Sequence, residues 1–454
     1  LGMEGAAPEC DGGIQLGETS LKAFCGGLRD IRGAWPEGIG YWNYGMSYAL
    51  RYLLSYERST GRTHPCFRIS ALKRSLWFPV DFCPNGVPAS FGDVNNWTPG
   101  PFHLAAASRL GMDDLLAELM RRCESTVPSS DQLVRLESHS WNQALEWLLM
   151  TPVARGRVRK SARTPGRGGL QVYRGQDWAV LADRLPGPRL YMSIRGGSAQ
   201  VGHSHLDLMS YHVVVNRESM IPNLGVAEYL DSTFGKRRYD VFEISASSKN
   251  TILVNGLGIG RPSEVRMRQV VNGDVRGVTI DATGAIGNEP NCFSGKPIVS
   301  FCGRLFLMLD ERVILIVDRV DLSAPGRVES RLHTYANATM GDSGAVLKGR
   351  NERMRIAYAG TNPCVCCTAV TAPTKPAPGA TMLRWCTSRL ETSVTMATLL
   401  APGAVSASVS LEPAGRRFAV DVKRGNMRKR LTVTKALRLH APCRRRISAD
   451  AVIH

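Results

Sequence analysis

Apolar residues recur at three- and four-residue spacing through the first third of the chain. They do so in ETSLKAFCGGLRDI (18–31), MSYALRYLLSYERSTG (46–61), FHLAAASRLG (102–111), DDLLAELMRRCES (113–125) and HSWNQALEWLLM (139–150). This spacing gathers the apolar side chains on one face of a helix, so each segment is predicted to be an amphipathic helix. Between them, Gly, Pro and Asn cluster in WPEGIG (35–40), CPNGVPASFGDVNNWTPG (83–100) and STVPSSD (125–131), which punctuate helices as turns. Short amphipathic helices joined in this way predict stacked helical hairpins, part of a toroid or solenoid, over residues 1–150.

The pattern changes near residues 151–170. TPVARGRVRKSARTPGRGG is rich in Arg, Gly and Pro, carries no helical face and reads as a linker or exposed loop. Short β-branched segments follow, among them WAVLADRL (178–185), RLYMSIRGG (189–197), LMSYHVVVN (208–216), NTILVNG (250–256), RLFLMLDERVILIVDRVDL (304–322) and TSVTMATLLAP (392–402). Turn residues separate them, which predicts stacked antiparallel sheets over 171–454. The expected fold class is α+β: a partial α/α toroid followed by an antiparallel β-sandwich.

Length and composition narrow this picture. A chain of 454 residues calls for two or three domains at about 100–200 residues each. With 43% hydrophobic and 21% charged residues it is a folding sequence rather than a disordered one. No apolar run reaches the roughly 18 residues of a membrane span. The opening LGMEGAAPECDGG has neither the basic head nor the apolar core of a signal peptide, so the chain is expected to be processed or truncated at its N-terminus. Twelve cysteines are scattered, with Cys364, Cys366 and Cys367 crowded together, and no paired CxxC knuckles are present. The net charge of +18 concentrates polyanions at the surface. Zinc-finger, helix-turn-helix and RNA-binding signatures are missing, so nucleic acid is not expected as the partner; acidic polysaccharide fits the same charge, which supports an acidic ligand without identifying one.

Two stretches carry candidate chemistry. In WPEGIGYWNYGMSY (35–48) aromatic rings, Glu37 and Asn43 sit beside glycines just before a helix. Ring faces complement the C–H faces of pyranoses, and Tyr41 or Tyr44 can exchange a proton if its pKa falls from about 10. A packed aromatic corner accounts for the same pattern. In RGGSAQVGHSHLDLMSYHVVVN (195–216), His203, His205 and Asp207 alternate. On an extended strand the three share one face, which suits an acid–base cluster or a metal site. HxHxD also resembles part of the binuclear metallo-hydrolase motif, but Leu208 follows Asp207 where that motif needs His. His212 reads as a satisfied core residue.

Together WPEGIGYWNYG (35–45), GHSHLDLMSYHVVVN (202–216) and FEISASSKNTILVNG (242–256) resemble the heparinase II/III-like polysaccharide lyases, over most of residues 20–260. The resemblance implies β-elimination on a uronate-containing polysaccharide such as alginate or a glycosaminoglycan, in a periplasmic or secreted setting. It implies Tyr44, with Tyr41 as second choice, and His203 as catalytic residues meeting in an interdomain cleft. Arg195, Trp42, Asn43, Glu37, His205 and Lys249 are the expected substrate contacts, Arg195 as a carboxylate or sulfate clamp.

Two departures follow. Zinc-binding relatives use the second His of HxH, an Asp about sixteen residues later and the His of an HNT motif. Here His205 is kept, Asn223 stands at the Asp position and Lys249 at the HNT His. A protonated Lys cannot ligate, although its charge can stand in for the ion, so no tightly bound zinc and no other cofactor is expected. Relatives also carry a carboxylate-neutralising Asn or His on a helix before the WPEG segment. Only 34 residues precede Trp35, without His or Asn, and Asn43, Asn95, Asn96 and His139 are the nearest substitutes. His333 is expected on a sandwich strand, and the basic run 423–446 as strand and loop charge. Two alternatives stay open: a catalytically silent acidic-glycan-binding protein, and a metal-dependent hydrolase using His203, His205 and Asp207.

Overall fold

The computed structural model describes residues 8–125, 167–226, 228–286, 298–374 and 378–439. The helix expected at 139–150, His139 and residues 151–166 of the expected linker lie outside them. Among the described residues five α-helices come first: α1 (Pro8–Asp30), α2 (Ile39–Thr60), α3 (Ser70–Asp81), α4 (Pro101–Arg109) and α5 (Asp113–Ser125). Four contain the segments with helical periodicity. The fifth, α3, carries Pro79 and had no clear pattern. Its Leu72, Leu76, Phe78 and Val80 nevertheless reach the core. α2 opens at Ile39, so Tyr41, Trp42 and Tyr44 stand in its first turns rather than in the preceding turn. No described helix is long and apolar enough to cross a membrane.

From Arg167 the chain is already paired with the sheet that follows, its N–H bonding Leu185 O at 2.7 Å. The first sheet is antiparallel and orders β1 (Leu170–Tyr173), β2 (Trp178–Ala182), β3 (Leu190–Arg195), β5 (Tyr211–Val215) and β6 (Glu218–Ile221), with the two-residue β4 (Gly197–Ser198) leaving it for a larger sheet. β7 (Ile252–Val254) joins a four-stranded sheet with β12 (Val328–Thr334). β8 (Glu264–Asn272), β9 (Val275–Asp281), β10 (Val299–Leu309) and β11 (Val313–Gly326) lie in a nine-stranded sheet with β4. The last three described strands, between 407 and 434, form a sheet of their own.

Alternation along the strands stacks these layers. On β3, Leu190, Met192 and Ile194 enter a core shared with Phe306, Met308, Ile314 and Ile316 of the nine-stranded sheet. Tyr191 of β3 and Trp178 and Val180 of β2 face the other way and join Trp42, Phe78, Phe82 and Phe91 beneath the helices. Leu305, Leu307 and Leu315 meet Phe418, Val420 and Val433 on the far side of the large sheet. The architecture is α+β, with helices on one face of stacked antiparallel sheets. His333 is buried on β12, and the basic run is strand as far as Thr434, with residues 440–446 outside the described set.

The contact between helices and sheet is polar as well as apolar. Tyr173 Oη donates to Asp81 Oδ2 and Tyr191 Oη to Asp81 O, each at 2.7 Å. Ser193 Oγ donates to Ala89 O at 2.6 Å, and His212 Nε2 bonds Ser90 O at 2.7 Å. The segment 89–93 is thereby laid across the helix-facing side of β3 and β5, the position from which it reaches the loop 202–207.

Candidate active site

Residues 202–207 are a loop, not a strand, and His203 has a left-handed backbone with φ 54°. His203, His205 and Asp207 therefore do not share a face. Each side chain instead meets a partner from a different segment. His203 Nδ1 lies 2.9 Å from Glu37 Oε1, His205 Nε2 lies 2.9 Å from Asp93 Oδ1, and Asp207 is ion-paired with Arg195 at 2.5 Å. The loop can come this close because of two glycines. A side chain at Gly202 would stand 2.7 Å from Glu37 Oε1, and one at Gly92 would stand 2.8 Å from Glu37 O and 3.2 Å from His203 O.

The ring of His203 lies flat on Tyr41, centroids 3.9 Å apart at 15°. An ionised Glu37 offers only acceptors, so in the neutral imidazole Nδ1 carries the proton and Nε2 the lone pair. Tyr41 Oη is hydrogen-bonded to Tyr229 Oη at 2.7 Å. Burial, then the bond to Tyr41, raises the pKa of Tyr229 above that of an ordinary phenol, so Tyr229 keeps its proton. Phe234 stands edge-on to His203 at 6.2 Å and tilted against Tyr229 at 4.8 Å. Beside these rings the loop 229–237 borders a hollow of about 600 Å³ lined by Tyr229, Ser232, Lys236 and Arg237.

Beneath this surface lies a buried ionic layer. Asp93 takes His205 and both terminal nitrogens of Arg238, which also donates to Ser204 O and Thr233 O at 2.9 Å each. Burial opposes the charge on Asp93, but the bonds from His205 and Arg238 hold its carboxyl below the usual range. Lys249 is fully buried. Its Nζ reaches His205 Nδ1 at 3.0 Å, Leu224 O at 2.6 Å and Glu243 O. Burial pushes the Lys249 ammonium down to about 8 against the pull of Asp207 and Glu243, and burial with the Lys249 charge pushes His205 down to about 4. His205 is thus neutral, protonated on Nε2 toward Asp93.

A family model for the heparinase II/III-like C-terminal domain matches residues 165–404, more than half of the chain. The chain belongs to the heparinase II/III-like family. Solved structures similar to it include a heparan sulfate lyase HepC mutant from Pedobacter heparinus, at TM-score 0.61 and 11% identity, covering 87% of this chain and 58% of that one. Heparinase III, the BT4657 gene product, is similar at TM-score 0.59 and 13% identity, covering 88% of this chain and 57% of that one. The chain thus spans less than two thirds of either, and at these identities the likeness is one of fold. No match is found among curated protein sequences.

Within this heparinase II/III-like chain the site residues expected from sequence separate into two groups. Tyr41, His203 and Glu37 come together as described. Tyr44 stands apart, 66% exposed and edge-on to Tyr48 at 5.1 Å. Trp42 is no sugar platform: it is fully buried and donates from Nε1 to Ser75 Oγ at 2.9 Å. Arg195 is no surface clamp, since it is 1% exposed, paired with Asp207, and donates to Ser204 Oγ and Ser198 O. His205 and Lys249 are likewise buried and spent on each other, out of a glycan's reach. Asn43 is half-buried, with an amide oxygen that has no partner among the described residues. Asn95 donates to Gly92 O at 3.3 Å. The hydrolase reading fails on geometry: the three HxHxD side chains point to three different partners. Asp93, Tyr229, Phe234 and Arg238 went unnoticed in the sequence. The aromatic and basic residues of YLDSTFGKRRYD (229–240) were the signal available for the last three.

Proposed function

We propose that the chain is the catalytic part of a polysaccharide lyase, cleaving uronate-containing acidic glycan by β-elimination with Tyr41 and His203 as its proton-transfer pair. The observation that carries this reading is the stack of Tyr41 on His203, whose Nε2 has no hydrogen-bond partner among the described residues. The C5 proton of a uronate is a weak acid until its carboxylate is neutralised. His203 Nε2 takes that proton, the C4–O4 bond breaks as the C4=C5 double bond forms, and Tyr41 gives its hydroxyl proton to O4. Proton exchange with solvent then restores both groups. The opposite configuration at C5 exchanges their roles.

Tyr229 supports this chemistry by donating to the Tyr41 phenolate as it forms, and Glu37 by holding the imidazole in one tautomer. Lys236 and Arg237 beside the hollow offer cations for a carboxylate or sulfate, and the net charge of +18 draws polyanions toward the surface. The helical part is read as a portion of an α/α toroid, and the setting as periplasmic or secreted. The test is ultraviolet absorbance during incubation with a panel of uronic polysaccharides. Growth of the unsaturated-uronate band, abolished by both Tyr41→Phe and His203→Ala, is expected. Glycan retained on the protein with a flat trace on every polymer would instead support a binding protein.

A further inference from the structure

A fully buried lysine costs several kcal/mol unless its charge and all three N–H donors are met. Lys249 meets this condition with acceptors from three separate segments: His205 Nδ1 from the 202–207 loop, Leu224 O, and Glu243 O. Asp207, Glu243 and Asp93 supply negative charge around it. A cation ringed by a histidine nitrogen and oxygens is the environment of a metal ion, built here around a side chain.

Zinc does not fit the same residues. It needs the lone pair of His205 Nδ1 at about 2.0–2.1 Å, and that lone pair is taken by Nζ at 3.0 Å. Asn223, at the position of the relatives' Asp, is also spent: its Oδ1 accepts from Ser210 Oγ at 2.6 Å and its Nδ2 donates to Asp207 Oδ2 at 3.2 Å. The third position is Lys249 itself, which brings a positive charge rather than a ligand.

We propose that Lys249 is a tethered cation that replaces a metal ion in this chain and pins the loop bearing His203. The pin can be followed bond by bond. Nζ fixes His205 with its proton on Nε2, Nε2 donates to Asp93, and Asp93 holds Arg238, which grips Ser204 O. Ser204 and His205 are thereby fixed from both sides, and His203 immediately before them is held in its left-handed turn against Glu37. Lys249 is in this sense a positioning residue: it touches no substrate and acts through His205. The link to catalysis rests on the reading of His203 as the proton acceptor. The claim about metal does not.

The experiment compares the full chain with Lys249→Met and with the double variant Asn223→Asp/Lys249→His. After zinc loading and dialysis, the wild type is expected to hold no stoichiometric zinc by elemental mass spectrometry, and chelator is expected to leave its Tm unchanged. One equivalent of zinc in the wild type, or a Tm lowered by chelator, overturns the replacement. The double variant is expected to bind one zinc and to gain Tm on zinc addition. A folded double variant that takes up none overturns the equivalence of the two positions.

Lys249→Met is expected to lower kcat roughly 10–100-fold, as loss of a supporting partner does in metal sites, with KM little changed. Wild-type kcat and Tm in that variant overturn the positioning role. If Lys249→Met does not fold, zinc-dependent recovery of Tm and kcat in the double variant carries the same test, and a double variant indifferent to zinc fails it. If the wild type turns over no polymer, the lyase reading fails, while zinc content and Tm still decide the tethered cation.

Discussion

Tyr41 lies flat against His203, ring centroids 3.9 Å apart and planes at 15°, although one opens a helix and the other sits in a loop far along the chain. Among the described residues the Tyr41 hydroxyl is bonded to another hydroxyl, Tyr229 Oη. Removing that hydroxyl keeps the stack and deletes the proton. Tyr41→Phe is therefore expected to lower turnover about 10²–10⁴-fold, the usual span of general acid–base catalysis, with an unchanged Tm. Tyr44, which is mostly exposed and leans on Tyr48, is expected to tolerate Phe within a few-fold. Initial rates of unsaturated-uronate formation distinguish the two, and equal losses would sink the assignment to Tyr41.

The order of helices then strands was legible because periodicity is local: three- and four-residue spacing in α1, α2, α4 and α5, and β-branched alternation in β3 and β5. α3 was not, because a proline inside the segment, Pro79, argues against a helix although Leu72, Leu76 and Val80 form its stripe. The site was legible as residue types and illegible as geometry. HSHLD alternates like a strand, yet three buried or half-buried polar groups each require a partner. The partners, Glu37, Asp93 and Arg195, come from outside the motif. Sequence pattern cannot see that Asp207 will consume Arg195, or that a loop will bring Tyr229 to Tyr41. Glycines at 92 and 202 were the local sign that backbones converge there.

Glu37 was expected to touch substrate, whereas the structure gives it to His203 Nδ1. The two roles predict different kinetics. A carboxylate that fixes the tautomer and orientation of His203 acts on kcat, so Glu37→Ala is expected to cost roughly 10–100-fold in kcat, the range for such supporting partners, with KM nearly unchanged. Glu37→Gln, whose amide oxygen can still accept from Nδ1–H, is expected to recover part of that loss. A rise in KM with kcat preserved would return Glu37 to the substrate.

Arg195 and Asp207 form an ion pair shielded from solvent on both sides, at 1% and 0% side-chain exposure. Arg195 also lies over the Trp178 ring at 5.1 Å. Removing one partner strands the other charge in the core, which typically costs about 3–5 kcal/mol. Arg195→Met is therefore expected to lower the denaturant midpoint sharply, while the folded fraction binds acidic oligosaccharide as tightly as the wild type. A clamp would behave in the opposite way, with weaker binding and unchanged stability.

His103 and His333 are buried, on α4 and β12. His103 bonds Leu76 O through Nε2 at 2.9 Å, and His333 Nδ1 faces Asn250 Oδ1 at 3.2 Å. Burial pushes both imidazoles down to about 3. The unfolded chain takes up these two protons near pH 6.5 and the folded chain does not, so their contribution is intact above about 6.5 and declines as pH falls toward 3. Within that window each histidine withdraws about 1.4 kcal/mol of stability per pH unit. Denaturant titrations at pH 7.5, 6.0 and 5.0 are expected to show this loss, and a His103→Gln/His333→Gln variant to show a slope shallower by about two protons. An identical slope in the variant would mean that both imidazoles accept protons inside the folded protein.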